Sequence, residues 1–112
     1  MEIRTTEQDG TAILALCGRM DATTTPEFEA AAKAVLAAGT ARIIVDMTDL
    51  EYISSAGLRG ILGLVKAVKG ASGKLAFCGL QQMVAEVFRI SGFNAMLVVR
   101  ATREDALAAL QS

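Results

Sequence analysis

The most constraining feature of this sequence is a short run of β-branched residues near its middle, Ile43-Ile44-Val45, inside the segment Arg42–Met47. An uninterrupted apolar run of this kind is typical of a strand covered on both faces, as the strands of parallel sheets are. Parallel neighbours cannot be joined by a tight turn and need crossovers, which are usually helical. The run therefore predicts an α/β fold with a mainly parallel sheet.

The segments on either side of this run alternate as such a fold requires. Ahead of it, the strand-like segments Met1–Glu7 and Thr11–Leu16 flank a turn signal, Gln8-Asp9-Gly10, and should pair antiparallel. Beyond them, apolar residues at three- and four-residue spacing predict helices between the strands. The later strands are predicted at Lys74–Cys78 and Ala95–Val99, and the helices begin near Thr25, Gly57, Gln81 and Thr102. We expect one small α/β domain over residues 1–112, ordered β-β-α-β-α-β-α-β-α, with a mixed sheet of about five strands and about four helices.

Charge and hydropathy limit the kind of partner. The 112 residues carry a formal net charge of −1, so no overall basic field would attract nucleic acid or an anionic membrane. The apolar runs are far too short for a membrane-spanning helix, and the polar N-terminus lacks the apolar core of a signal peptide. We expect a cytoplasmic protein that binds neither nucleic acid nor membrane.

The cysteines and the absence of histidine narrow the chemistry further. Cys17 and Cys78 each lie in an apolar, strand-like run, which favours buried structural thiols over a redox or disulfide role. The sequence has no histidine, the commonest general base and the commonest zinc ligand. We expect no metal and no cofactor.

Two adjacent serines, Ser54 and Ser55, follow the central strand and precede an apolar helix, where α/β sheets usually carry their function. A hydrolase nucleophile is excluded, because the local sequence Ser-Ser-Ala-Gly lacks the Gly-x-Ser-x-Gly pattern and no histidine exists to take the proton. A phosphate-binding loop is not supported either. Gly57, Gly60 and Gly63 lack the glycine-rich fingerprints of nucleotide sites, and their spacing favours close packing of a helix.

Asp46 ends the central strand, as a phospho-accepting aspartate would. Response-regulator receivers place such a residue there, but they also need an earlier acidic pair and a late lysine. Leu16-Cys17-Gly18 and Val98-Val99-Arg100 occupy those places here. Asp46 is better interpreted as an acid that orders the following turn through backbone N–H groups.

Two interpretations of the serine pair remain, and they are compatible. A serine at a helix N-terminus can simply cap it, which is worth about 1 kcal/mol. The same hydroxyls can receive a phosphate from another protein, since backbone N–H groups and the helix dipole favour an anion there. On local sequence alone, the cap is favoured.

Three motifs give the chain a resemblance to a known family. They are Gly18–Asp21 (GRMD), Asp46–Leu58 (DMTDLEYISSAGL) and Phe88–Phe93 (FRISGF). With them, the whole chain resembles the STAS domain of bacterial anti-sigma factor antagonists. The central motif is the specific one, and the other two add to it.

The resemblance implies a regulatory protein and not an enzyme. In partner switching, the unphosphorylated antagonist binds a serine kinase anti-sigma factor, which thereby releases its sigma factor. The kinase then phosphorylates the antagonist in the central motif and dissociates, and a serine phosphatase removes the phosphate. We expect these two enzymes to be the partners of this chain.

One departure from the family motif bears on the acceptor. The family places its acceptor hydroxyl directly before the glycine, where this chain has Ala56. We therefore predict that Ser55 is the phosphoacceptor, with Ser54 as second choice. A competing hypothesis is a constitutive STAS interaction module that is never phosphorylated and does not act on a sigma factor. The predicted partner-binding residues are Asp21, Thr48, Asp49, Tyr52, Ser54, Ser55, Leu58 and Arg59.

Overall fold

The computed structural model describes residues 1–111, which form five strands and five helices. The strands are β1 (Glu2–Gln8), β2 (Thr11–Met20), β3 (Arg42–Ile53), β4 (Lys74–Cys78) and β5 (Val98–Arg100). The helices are α1 (Thr25–Ala37), α2 (Ser55–Gly70), α3 (Gln82–Ile90), α4 (Phe93–Met96) and α5 (Arg103–Gln111). The predicted order is confirmed, and the one-turn helix α4 is added to it.

The strands form one sheet in the order β1-β2-β3-β4-β5. Only the β1–β2 pair is antiparallel, and the other three pairs are parallel. The hairpin that joins β1 to β2 turns at Asp9 and Gly10, whose φ angles are 52° and 77°. Asp-Gly with both φ values positive forms the two-residue turn whose twist matches that of paired strands. The predicted hairpin is therefore confirmed.

Two layers of helices of unequal size cover the sheet. On one face, the main core contains α1, α2, α3 and α4, through residues such as Phe28, Ile61 and Phe88. On the other face, Ala106, Leu107 and Leu110 of α5 pack on a smaller cluster from β2, β3 and β4. Alternate residues of the central strands point into opposite clusters, which explains the continuous apolar run in β3. Residues of β1 and β2, among them Arg4 and Cys17, line a surface groove together with Arg103 of α5.

The central strand is longer than predicted. The sequence suggests a strand over Arg42–Met47, an acidic loop and a helix from about Gly57, whereas β3 continues to Ile53 and α2 begins at Ser55. The pairing of β2 with β3 shifts register twice, between Ala15 and Cys17 and between Gly18 and Arg19. These bulges break the period-two alternation by which a strand is recognised. The same bulges explain why the sequence predicts a strand over Thr11–Leu16, whereas β2 runs to Met20.

The last strand is shifted toward the C-terminus. A strand was predicted over Ala95–Val99, but Phe93–Met96 forms α4 and β5 is Val98–Arg100. Phe93 is 5% exposed and meets Phe88 edge to face, with ring centroids 5.3 Å apart. Burying this ring keeps the chain helical for one turn before it reaches the sheet.

The two cysteines differ, contrary to expectation. Cys78 is buried and Cys17 is exposed, and neither is in a disulfide. Burial was predicted for both because both lie in apolar runs. Cys17 pairs with Glu2 and Asp49 in the second half of β2, and it lines a surface groove beside Arg103 of α5.

Candidate partner-docking site

Ser54 caps α2. Its backbone is extended (φ −96°, ψ 177°), and its side-chain oxygen accepts a hydrogen bond from the Gly57 N–H at 3.3 Å. Its own N–H donates to the Met20 carbonyl at 2.9 Å. The predicted capping role therefore belongs to Ser54, and the cap also joins the start of α2 to the end of β2.

Ser55 is the first residue of α2, and its side chain is exposed. Within residues 1–111 no hydrogen bond occupies its hydroxyl, in contrast to that of Ser54. The two adjacent serines thus differ in availability: one oxygen is engaged in the cap and the other faces solvent.

The loop between β2 and α1 lies beside the start of α2. A surface depression of about 260 Å³ is lined by residues of this loop, of α1 and of α2: Ala22, Thr25, Pro26, Glu29, Ala56, Arg59 and Gly60. Ala56 is half-buried in this contact, and Arg59 is exposed at its edge. The structure thus brings Arg59 together with the loop that follows Asp21.

Asp21 orders that loop. Its carboxylate accepts hydrogen bonds from the N–H groups of Thr23 and Thr24, at 3.0 and 3.1 Å. The Thr24 N–H in particular holds the pKa of Asp21 below its ordinary value. Its carbonyl accepts from the Thr25 N–H at 2.8 Å, at the start of α1. Asp21 therefore caps the loop that precedes α1.

Thr48 is anchored by Asp46, two positions earlier in β3, and by Gln81, which is distant in sequence. Its hydroxyl and N–H donate to Asp46 Oδ1, at 2.6 and 3.0 Å, and its carbonyl accepts from Gln81 Nε2 at 2.7 Å. The second carboxylate oxygen of Asp46 accepts from Arg103, from Nε at 3.1 Å and Nη2 at 2.7 Å. Asp46 thus orders the backbone as predicted, although it lies within β3 and not in a loop.

This environment keeps Asp46 ionised and Cys78 neutral. Burial raises the pKa of Asp46, but hydrogen bonds from Thr48 and Arg103 outweigh it and hold the pKa below its ordinary value. Burial, together with the nearby Asp46 charge, raises the pKa of Cys78 to about 12. A thiol with that pKa is almost wholly protonated at neutral pH, so Cys78 is not a reactive nucleophile.

Asp49 and Tyr52 lie in β3 opposite Cys17 and Arg19 of β2. Asp49 lines a surface groove of about 400 Å³, which it shares with Cys17 and Arg103. The Tyr52 ring packs under the Arg19 guanidinium, 4.2 Å from its centroid, as a cation–π pair. Asp49 and Tyr52 therefore have neighbours on β2 and α5, whereas Arg59 lies beside the loop that follows Asp21.

Leu58, predicted to bind a partner, is half-buried and packs against the main core. Sequence reasoning did not single out Arg103 or Gln81, which lie 57 and 33 residues away from their partners. The local motif contains no signal for either contact.

The described part of the chain contains no cluster of metal-binding side chains and no helix that could span a membrane. Among residues 1–111, no group of three acidic or cysteine side chains is placed to hold a metal ion. No helix within the same residues is long and apolar enough to span a membrane.

Comparison with known proteins identifies the family. The STAS domain model matches residues 2–106. This chain belongs to the STAS domain family. A candidate anti-sigma factor antagonist from Bordetella bronchiseptica, BtrV, is 37% identical over 112 residues, covering 100% of this chain and 97% of BtrV.

Solved structures share the fold at lower identity. An anti-sigma factor antagonist from Mycobacterium paratuberculosis superposes with a TM-score of 0.91 at 21% identity, covering 99% of this chain and 94% of its own. The Bacillus cell fate determinant SpoIIAA in its phosphorylated form has a TM-score of 0.75 at 20% identity, covering 96% and 98%. The resemblance to the STAS fold is confirmed, and the relatives are named anti-sigma factor antagonists.

Proposed function

We propose that this STAS protein is a cytoplasmic anti-sigma factor antagonist that is regulated by phosphorylation of Ser55. Unphosphorylated, it binds a serine kinase of the anti-sigma type at the edge formed by the start of α2 and the loop after β2. Phosphorylation by that kinase ends the complex, and a serine phosphatase restores it. The chain itself is not an enzyme in this cycle.

The observation that carries the proposal is the difference between the two serines. The Ser54 oxygen accepts the Gly57 N–H, so phosphorylating it would cost the α2 cap. Ser55 is exposed on the first turn, where a kinase can reach its hydroxyl. Ala56 removes the hydroxyl at the family position, and Ser55 is the adjacent residue on the same turn.

The electrostatics of the site favour a switch and not unfolding. A phosphate on Ser55 adds roughly −1.5 to −2 charges beside the positive end of the α2 dipole, which stabilises anions. The fold therefore tolerates the phosphate. A partner docked on this turn would have to desolvate the new charge, which weakens binding.

Binding measurements on three variants test this proposal. The probe is the serine kinase encoded nearest to the gene of this chain, and affinity is measured by calorimetry. Ser55→Ala should bind as the wild type does, whereas Ser55→Asp should bind at least about tenfold more weakly, a loss of about 1.4 kcal/mol. Ser72→Asp is the matched control: Ser72 is exposed just beyond the opposite end of α2, and its φ of 55° suits aspartate.

A constitutive interaction module remains the second candidate function, and Ala56 at the family's acceptor position favours it. In that case Ser55→Asp and Ser72→Asp would bind equally well, and the kinase would transfer no phosphate to the wild type. An equal loss of affinity in Ser55→Asp and Ser72→Asp would also contradict regulation at Ser55, because the effect of the added charge would then not depend on its position.

A further inference from the structure

The second half of β3 leaves the regular sheet at a bulge. Ala15 pairs with Asp46 and Cys17 with Asp49, so Met47 and Thr48 together oppose the single residue Leu16. The pairing with β4 also stops at Asp46. From Asp49 onward, the strand pairing of β3 is with β2 and no longer with β4, and β3 leads directly to Ser54. A bulge re-aims the strand beyond it, so whatever fixes this bulge also fixes the start of α2.

The Asp46 carboxylate fixes the bulge from within. Asp46 is 8% exposed, and its Oδ1 holds both the N–H and the hydroxyl of Thr48. Gly79 closes the other side of Thr48 so tightly that a Cβ there would overlap the Thr48 hydroxyl. Gln81 then holds the Thr48 carbonyl at 2.7 Å. The polar groups of Thr48 are therefore held by contacts from three positions in the chain.

The Asp46 carboxylate is in turn held by α5. Arg103, the first residue of α5, donates two hydrogen bonds to Asp46 Oδ2. Two charged donors on one oxygen set the orientation of the carboxylate, and with it the side that faces Thr48. A half-buried pair of this kind loses much more when one partner is removed than an exposed ion pair does.

We propose that Arg103 is a positioning residue for the docking edge, acting through Asp46 and the Thr48 bulge. This inference rests on the proposed function, which places the partner at the start of α2. Arg103 belongs to α5, whose apolar side chains pack on the sheet face opposite α2. Removing its side chain should therefore weaken partner binding from the far side of the sheet.

The first test uses the free protein and needs no partner. Amide hydrogen exchange is measured residue by residue for Arg103→Ala, Arg103→Lys and the control Arg100→Ala. Arg100 is an exposed arginine whose side chain, within residues 1–111, donates only to the neighbouring Val99 carbonyl. In Arg103→Ala, exchange from Thr48 to Ser54 should accelerate about tenfold relative to α1, as expected for losing a charged hydrogen-bond partner. Lysine should restore part of the protection, and Arg100→Ala should change nothing.

The second test measures phosphorylation by the same serine kinase at a temperature at which every variant is folded. Arg103→Ala should raise the KM for this protein about tenfold, a cost of about 1.4 kcal/mol, and leave kcat unchanged. Exchange that accelerates equally in α1 and β3, or an unchanged KM despite a loosened bulge, would overturn the inference. If no phosphate is transferred to the wild type, the proposed function fails, and the exchange result still decides whether Arg103 holds the bulge.

Discussion

Alanine substitution at two glycines of the same helix should have opposite effects on stability. Gly57 and Gly63 both lie in α2, but only Gly57 is buried. A Cβ at Gly57 would lie 2.7 Å from Ile53 Cγ1 and 3.0 Å from the Met20 carbonyl oxygen. At Gly63, apart from the adjoining residues and backbone of α2 itself, no atom of residues 1–111 lies within 4 Å of an added Cβ.

The magnitudes follow from these contacts. Replacing an exposed helical glycine by alanine stabilises a protein by about 1 kcal/mol, so Gly63→Ala should raise the free energy of unfolding by that amount. Overpacking costs about 1–3 kcal/mol, and the upper part of that range applies at Gly57 because one neighbour is backbone. The Met20 carbonyl also accepts the Ser54 N–H and cannot retreat without loosening that hydrogen bond. Gly57→Ala should therefore lose about 1–2 kcal/mol net, which leaves a gap of roughly 2–3 kcal/mol between the variants.

Urea denaturation followed by circular dichroism measures this gap. Both variants should retain the wild-type m-value, so that the shift in midpoint reports stability alone. Equal stabilisation by both alanines would refute the conclusion that α2 packs closely on β2 through Gly57.

Three further predictions concern single side chains. Ser54→Ala should lose about 1 kcal/mol of stability in urea denaturation, because it removes the α2 cap, whereas Ser55→Ala should stay within about 0.5 kcal/mol; equal losses would contradict the assignment of the cap. Burial raises the pKa of Asp46, but its hydrogen-bond donors outweigh this effect and lower the folded pKa below the ordinary 3.8. The contribution of Asp46 to stability is therefore full above pH 3.8, and it is lost as the pH falls through the folded pKa. Urea denaturation from pH 7 downward should accordingly show Asp46→Asn less stable than wild type at pH 7 and less sensitive to acid below about pH 4, and parallel curves would refute the sign. Iodoacetamide should label exposed Cys17 in the native protein, while Cys78, whose pKa burial raises to about 12, should react only after unfolding, as read by mass spectrometry of the labelled peptides.

The sequence was sufficient for the fold because its signals are local and periodic. The run Ile43-Ile44-Val45 predicted a strand packed on both faces, and both clusters do contain residues of β3. The turn at Asp9-Gly10 predicted the hairpin. Where β2 and β3 bulge, the alternation is lost, and the sequence suggested a loop where the chain is extended.

The candidate site also combines features that the sequence predicts with features that it does not. Capping by Ser54 could be predicted, because a cap bonds an N–H three residues away and depends on local residue types. The contact of Arg103 with Asp46 spans 57 residues, and nothing in either local sequence indicates the other. The groove that Asp49 shares with Arg103 of α5 was equally hidden. Long-range polar contacts were therefore the part that residue patterns did not supply.

The most direct test of the central claim is the position of the phosphate. Wild-type protein is incubated with ATP and the serine kinase encoded nearest to its gene, and the modified residue is located by fragmentation mass spectrometry, with Ser55→Ala and Ser54→Ala in parallel. We predict one phosphate, on Ser55, that is absent in Ser55→Ala and retained in Ser54→Ala. A phosphate on Ser54 or elsewhere, or none at all, would contradict the claim that Ser55 is the regulated residue.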